Sequence, residues 1–421
     1  MTETHLNWAG NVAFRARRML RPASVDELRS IVAESDRLRI LGTAHSFNRL
    51  ADTEGDLVSV AGLPPTVEIA ADRRSVTVAA GVRYGELAQR LDAAGLALHN
   101  LASLPHISVA GAVATATHGS GERHGNLATA VSALELVTAD GDLVRLARGD
   151  EGFAGAVVGL GALGAVTALT LDVEPAFELS QTVYEGLPLD ALAEHEAEIL
   201  GAAYSVSLFT GWAGPTIDQV WVKRRADDRP DHAPPPPARW LGATPADGPR
   251  HPVPGMGAEN CTEQGGVPGP WHARLPHFRL DFTPSSGEEL QSEYVVAREH
   301  GVAALAAVDS VRDLVAPVLQ ICEVRTIAAD ELWLSPNYRR DSLAVHFTWV
   351  ADGDAVAPAM AAVEERLAPL AARPHWGKLY GIDPATVRGL YPRWADFAAL
   401  VGRYDPAGKF RNEVLDRYFA G

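Results

Sequence analysis

RILGTAHSFN, residues 39–48, leaves a short apolar strand predicted over 38–41 and runs into a string of small residues. Small side chains leave successive backbone N–H groups exposed, a nest that suits a pyrophosphate. His45 lies inside that nest, where a bound cofactor would pass. A lone histidine is as readily a surface or satisfied core residue, so His45 by itself decides nothing. Upstream, VDELRSIVAES (25–35) follows Pro22 and Ser24 and predicts a capped helix. Downstream, VTVAAG (76–81) predicts a strand, and YGELAQRLDAAG (84–95) an amphipathic helix closed by Gly95. ALELVTADGDLVRLA (133–147) predicts a hairpin turning at Asp140-Gly141, and ALTLDVEP (168–175) a strand ended by Pro175.

Two further glycine-bearing stretches compete with 39–48. Gly159-Leu160-Gly161-Ala162-Leu163-Gly164 matches G-x-G-x-x-G literally, which raises a nicotinamide-dependent dehydrogenase as a reading. That motif works only with a strand before it and a helix after it. Here AVTALTLDV follows and reads as a strand, so a tight packing turn is expected. The other stretch, SVAGAVATATHGSG (108–121), is small and polar. It serves either the packing of two elements or the approach of a large ligand to the backbone.

After about residue 176 the pattern changes to strands such as SVSLFTG and DQVWVKRRA without glycine-rich turns. Residues 229–257 are rich in proline and glycine and carry no period, which fits a surface excursion or a lid. REHGVAALAAVDSVRDLV (298–315) and AVAPAMAAVEERLAPLA (355–371) predict helices, and VLQICEVRTI (318–327) and SLAVHFTWV (342–350) predict strands. The division expected is 1–175, 176–370 and a C-terminal return over 371–421 to the first unit.

Composition sets outer limits. The 421 residues are 47% hydrophobic and 21% charged, enough for two ordinary domains. A net charge of −16 argues against nucleic acid and against anionic lipid surfaces. Cys261 and Cys322 have no metal or redox spacing and read as free thiols or inert core residues. The first twenty residues lack a secretory core and cleavage site, and no apolar stretch is long enough to span a bilayer. A cytoplasmic chain, with a monomer as the simplest state, is the expectation.

The joint pattern is more specific than any part. NWAGN near the start, R-x-x-G-x-x-H-S, ASLPHISVAG, ATATHGSG, NCTEQGGVPGPWH, HWGK and DPAGKF-x-N resemble the flavoproteins of the vanillyl-alcohol-oxidase type across essentially the whole chain. Within them the likeness is greatest to alditol oxidases. Aldonolactone oxidases share HWGK and THGSG. The resemblance implies an α+β, two-domain FAD-binding fold of the PCMH type with an α+β substrate-binding cap. It also implies FAD joined covalently through His45. Leu41, Gly42, Thr43, Ala44, His45, Ser46 and Phe47 would wrap the pyrophosphate. Ser108, Gly111, Thr115, His118, Gly119 and Ser120 would line further cofactor contacts, with Ser103 beside them. Val166 would meet the adenine side and His375 the flavin. Ala44 and Ala116 stand where relatives usually have glycine, which strains any left-handed backbone there.

On the substrate side, Glu323 and Arg325 are two apart on a predicted strand and share a face with Leu319, Ile321 and Ile327. That pair is either a structural ion pair or part of a site. His346 and Thr348 repeat the spacing on the next strand, and Lys378 in HWGK is a third cation candidate. A polyol is a row of hydroxyls, each donor and acceptor, and calls for several polar groups on rigid strands. The resemblance implies that Ser103, Glu323, Arg325 and Thr348 bind the alditol, while His346 and Lys378 assist deprotonation of the reacting hydroxyl. Hydride would pass from the CH2OH of an alditol such as xylitol or sorbitol to the flavin, and oxygen would be reduced to peroxide. Ala102 would border the oxygen path. A metal held by Glu323, His346 and His375 has no ligand spacing behind it. An aldonolactone oxidase or dehydrogenase and a non-catalytic polyol- or sugar-binding protein are the other readings.

Overall fold

The computed structural model describes residues 5–226, 239–282 and 288–419. Ser24 caps the helix Val25–Glu34 by accepting from the Glu27 N–H, and Gly95 adopts φ +71° just past the helix Tyr84–Ala93. Arg18–Leu20, Asp56–Ser59 and Leu38–Leu41 form a three-stranded parallel sheet in that order. A five-stranded antiparallel sheet runs Val67–Ile69, Ser75–Ala79, Ala165–Asp172, Val131–Val137, Leu143–Ala147. Its last two strands are the predicted hairpin, turning through Gly141 at φ +82°.

The second unit is one antiparallel sheet. Its central strands run Thr216–Arg225, Ser205–Thr210, Leu319–Ile327, Ser342–Val350, Glu289–Ala297. Apolar residues on one face of this sheet bury against the helices Leu189–Leu200, Gly301–Asp309 and Gly353–Leu367. The opposite face looks into a cavity shared with the first unit. After Arg373–Pro374 the chain returns, and Val387, Tyr391, Phe397, Leu400 and Tyr418 join the first unit's core.

Three expectations need correction. The helix expected over 298–315 is broken: Gly301–Asp309 and Arg312–Val315 are separate helices. The Ser310 hydroxyl donates to the Ala307 carbonyl, and Asp309 pairs with Arg312 across the break. Local side-chain bonding of this kind competes with helix continuation. Second, Leu319 does not share a face with Glu323. A bulge between Leu319 and Ile321 shifts the phase, so Leu319 packs with the helix-side core while Ile321 stays on the cavity side. Third, the aperiodic stretch 229–257 is not wholly irregular: residues 229–238 lie outside the described residues, but Thr244–Pro245 pairs with Glu178–Pro188.

Ala44 and Ala116 both hold left-handed backbone, at φ 57° and 54°. A side chain there costs about 1 kcal/mol or more relative to glycine. Ala44→Gly and Ala116→Gly are each expected to raise unfolding free energy by about 1 kcal/mol. Thermal midpoints of the two variants check this, and a fall in both would contradict it.

Candidate functional site

A cavity of about 560 Å³ runs between the two units. Its first wall is the loop after Leu38–Leu41. Leu41, Gly42, Thr43, Ala44, His45, Ser46 and Phe47 all line it. The N-terminal segment stitches this loop down: Trp8 N–H donates to the Ala44 carbonyl, Asn7 to Ser46 and Asn11 to Phe47. Trp8 also stacks on the His45 ring at 5.3 Å between centroids, a contact the sequence reading missed. Neither His45 ring nitrogen makes a hydrogen bond of good geometry. Burial keeps the ring neutral, with its pKa lowered to about 4, only partly opposed by the Thr43 backbone.

Gly42 meets the segment Ser108–Thr115 closely: a Cβ on Gly42 would stand 2.3 Å from Ser108 Oγ, and one on Gly111 2.9 Å from the same atom. Ser108 Oγ is buried without a partner, while the Ser108 N–H donates to Thr43 Oγ1. Close backbones, an unpartnered hydroxyl and an unpartnered imidazole along one wall fit an extended cofactor such as FAD. Thr115, His118, Val166, Ser103, Ala102 and His375 continue the lining. The wall ends at His118. Gly119 and Ser120, expected to contact the cofactor, turn away, and the Ser120 hydroxyl donates to the Val206 carbonyl. The stretch Gly159–Gly164 is a turn between the helix Phe153–Val157 and the strand Ala165–Asp172, the reverse of a dinucleotide fingerprint. Its glycines nevertheless border the cavity.

The other end of the cavity is polar. Three antiparallel strands put Glu293, His346 and Glu323 side by side in register. Gln291, Thr348 and Ile321 form the next row. Arg325 sits opposite Ala344, whose methyl leaves room for the guanidinium to cross to Glu293 at 2.8 Å. Glu293 also receives Lys378 Nζ at 2.6 Å and lies 3.0 Å from His118 Nε2. Burial pushes its pKa up, but Lys378, His118 and Arg325 together hold it well below the usual carboxylate range.

Glu323 accepts from His277 Nε2 at 2.7 Å through Oε1, and Oε2 accepts no hydrogen bond from the described residues. Burial works against its charge, yet Arg325 and His277 keep it ionised. His346 has no hydrogen bond at either ring nitrogen, and burial beside Lys378 keeps it neutral. Arg325 also donates to Ser103 Oγ at 3.3 Å, which joins the two walls.

All the residues expected to bind the alditol, Ser103, Glu323, Arg325 and Thr348, therefore line one space with His346 and Lys378. Glu293 and His277 were missed. The alternation in ELQSEYVVA, with Leu290, Tyr294 and Val296 on the core face and Gln291 and Glu293 on the other, is the signal that points to Glu293. His277 lies in an aperiodic loop that offers no such signal. Among the described residues no group of His, Cys, Asp and Glu is placed to hold a metal ion. Cys261 and Cys322 are buried free thiols, and among the described residues no helix is long and apolar enough to cross a membrane.

Comparison with known proteins adds to this geometry. Residues 16–147 match a family model described as FAD binding domain, and 287–418 one described as D-arabinono-1,4-lactone oxidase. The chain is 54% identical to an alditol oxidase of a Streptomyces species over 99% of both chains. It is 31% identical to an L-gulono-1,4-lactone dehydrogenase of Mycobacterium tuberculosis over 98% of both. In fold it is similar to a solvent-stable cholesterol oxidase structure, with TM-score 0.76, 17% identity and coverage of 99% and 97%.

Proposed function

The chain belongs to the alditol oxidase family, and from that membership we propose that it oxidises the terminal CH2OH of an alditol such as xylitol or sorbitol to the aldose, on FAD tethered through His45. FAD-dependent oxidation of alditols with oxygen as acceptor is its activity. The observation that carries the finer reading is the polar row of Glu293, His346 and Glu323, with Thr348 in the next row, continuous with the wall that holds His45.

Bound flavin supplies the two-electron acceptor and passes the electrons to oxygen, giving peroxide. Leu41–Phe47, Ser103, Ser108, Gly111, Thr115, His118, Val166 and His375 are the residues assigned to hold it. Glu323 accepts from substrate hydroxyls, Arg325 donates and Ser103 donates or accepts beside it, and Thr348 fixes a further hydroxyl. His346, neutral and unpartnered, takes the reacting hydroxyl's proton at a ring nitrogen. Lys378, paired with Glu293, stabilises the negative charge that develops on that oxygen. Ala102, the small neighbour of Ser103 on the wall, is assigned the oxygen path. An Ala102→Gly variant reoxidised by oxygen at the native rate would remove that assignment. The division 1–175, 176–370 and 371–421 follows from the same reading, with the antiparallel sheet as the substrate cap.

Acid-precipitated native protein is expected to stay yellow, and His45→Ala protein to give a colourless pellet. Xylitol and sorbitol should drive peroxide release in the native enzyme. The match of 287–418 to a lactone oxidase model favours one rival, a sugar lactone as substrate. Turnover of L-gulono-1,4-lactone in place of xylitol would replace the alditol reading, and a native pellet that lost its colour would end the His45 tether.

A further inference from the structure

Behind the substrate wall lies a lysine that the oxidation as described does not use. Lys223, in the strand Thr216–Arg225, is 1% exposed. Its Nζ lies 2.5 Å from the Leu275 carbonyl, 3.2 Å from the Pro276 carbonyl and 3.2 Å from His277 Nδ1. An ammonium has three donors and no acceptor. Three donors meet three acceptors, so His277 Nδ1 accepts and the ring proton sits on Nε2, 2.7 Å from Glu323 Oε1. The opposite tautomer would set two donors against each other at Nδ1 and two lone pairs against each other at Nε2. Phe209 and Trp221 pack edge-on against the imidazole, at 5.5 and 5.1 Å, and hold its plane.

We infer that Lys223 and His277 are positioning residues for the alditol site: they occupy Glu323 Oε1 from behind and hold the carboxylate as an anion whose Oε2 is left to accept from substrate hydroxyls. The inference rests on the reading that Glu323 binds the alditol. An isolated buried carboxylate protonates, and a protonated Glu323 would offer a donor where the site needs an acceptor. Every group facing Glu323 bears on this. Arg325 Nε stands 3.6 Å away on its own strand, His346 Nδ1 4.0 Å away on the next, and His277 behind it. Lys378 and Glu293 lie beyond, paired with each other. Lys223 supplies its positive charge through the His277 ring. Burial lowers Lys223 to about 7, and the negative charge of Glu323 is what opposes that fall most. Lysine and carboxylate thus support each other's charged state.

The test uses the full-length, flavin-loaded enzyme with xylitol. Lys223→Met and His277→Leu are each expected to raise KM about tenfold with kcat within about threefold of native. Both should move the acid limb of the kcat/KM pH profile upward by at least half a unit, Lys223→Met because it removes a positive charge behind Glu323 and His277→Leu because it removes the donor at Oε1, and each loss raises the pH at which Glu323 ionises. His277→Gln, which keeps a donor near Nε2, should recover most of the native KM. Should Lys223→Met fail to fold, the pair His277→Leu and His277→Gln gives the same reading. Native KM and an unmoved acid limb in His277→Leu would overturn the inference. Glu323→Gln separates the two levels: if it leaves KM for xylitol unchanged, the substrate reading falls. If it raises KM while His277→Leu does not, only the positioning role falls. In the Glu323→Gln background, His277→Leu should add no further loss.

Discussion

Glu293→Gln is expected to lower kcat/KM for alditols by about 100-fold, the upper range for residues that act through a neighbouring group. The substitution keeps the shape and removes only the charge. Lys378, Arg325 and His118 all lean on that charge, at 2.6, 2.8 and 3.0 Å. Breaking a buried pair by neutralising one partner costs about 3–5 kcal/mol, since the other is left uncompensated. Lys378 is already lowered by burial, and Glu293 is the largest influence holding it up. Without the carboxylate, Lys378 gives up its proton at lower pH and loses the charge on which its proposed part, stabilising negative charge on the substrate oxygen, depends. The loss should therefore deepen as pH rises toward 8, on top of a lower thermal midpoint. A kcat/KM within twofold of native across that range would rule out the role given to Glu293.

The second large effect concerns stability. Arg39→Leu is expected to cost about 3–5 kcal/mol. Arg39 is buried, and its guanidinium donates to the carbonyls of Leu160, Gly161 and Phe410, at 2.8, 2.8 and 2.7 Å. Leu160 and Gly161 both hold positive φ, 52° and 65°, so the turn over Gly159–Gly164 keeps its shape only while those carbonyls are satisfied. Each buried carbonyl stripped of its donor costs about 1–3 kcal/mol. Urea unfolding of the variant checks this, and a loss below 1 kcal/mol would show that water replaces the arginine without penalty. The same bonds explain why a literal dinucleotide motif occurs without its fold: this turn binds an arginine through its carbonyls rather than a phosphate through its N–H groups.

What could be read in the sequence follows from how local each signal is. Ser24, Gly95 and Asp140-Gly141 mark element ends by chemistry confined to a few residues, and those ends are where expected. Glu323 with Arg325, and His346 with Thr348, were visible because strand alternation is local. The register that sets Glu293 beside His346 belongs to strand pairing, which no single strand encodes. The bulge beside Leu319 and the break at Ser310 are one-residue events inside otherwise regular patterns, and periodicity averages over them. Lys223 reads as an ordinary cation in DQVWVKRRA until the fold encloses it.

The methyl of Ala344 has a consequence for how substrate preference can change. The one lane by which Arg325 reaches across the sheet to Glu293 is kept open by the absence of bulk, not by any charge. Two extra carbons at that position would close the lane and swing the guanidinium back toward its own strand. The donor and acceptor pattern offered to a sugar alcohol is thus adjustable from an apolar position outside the cavity lining, a route to altered selectivity that substitutes none of the site's polar residues.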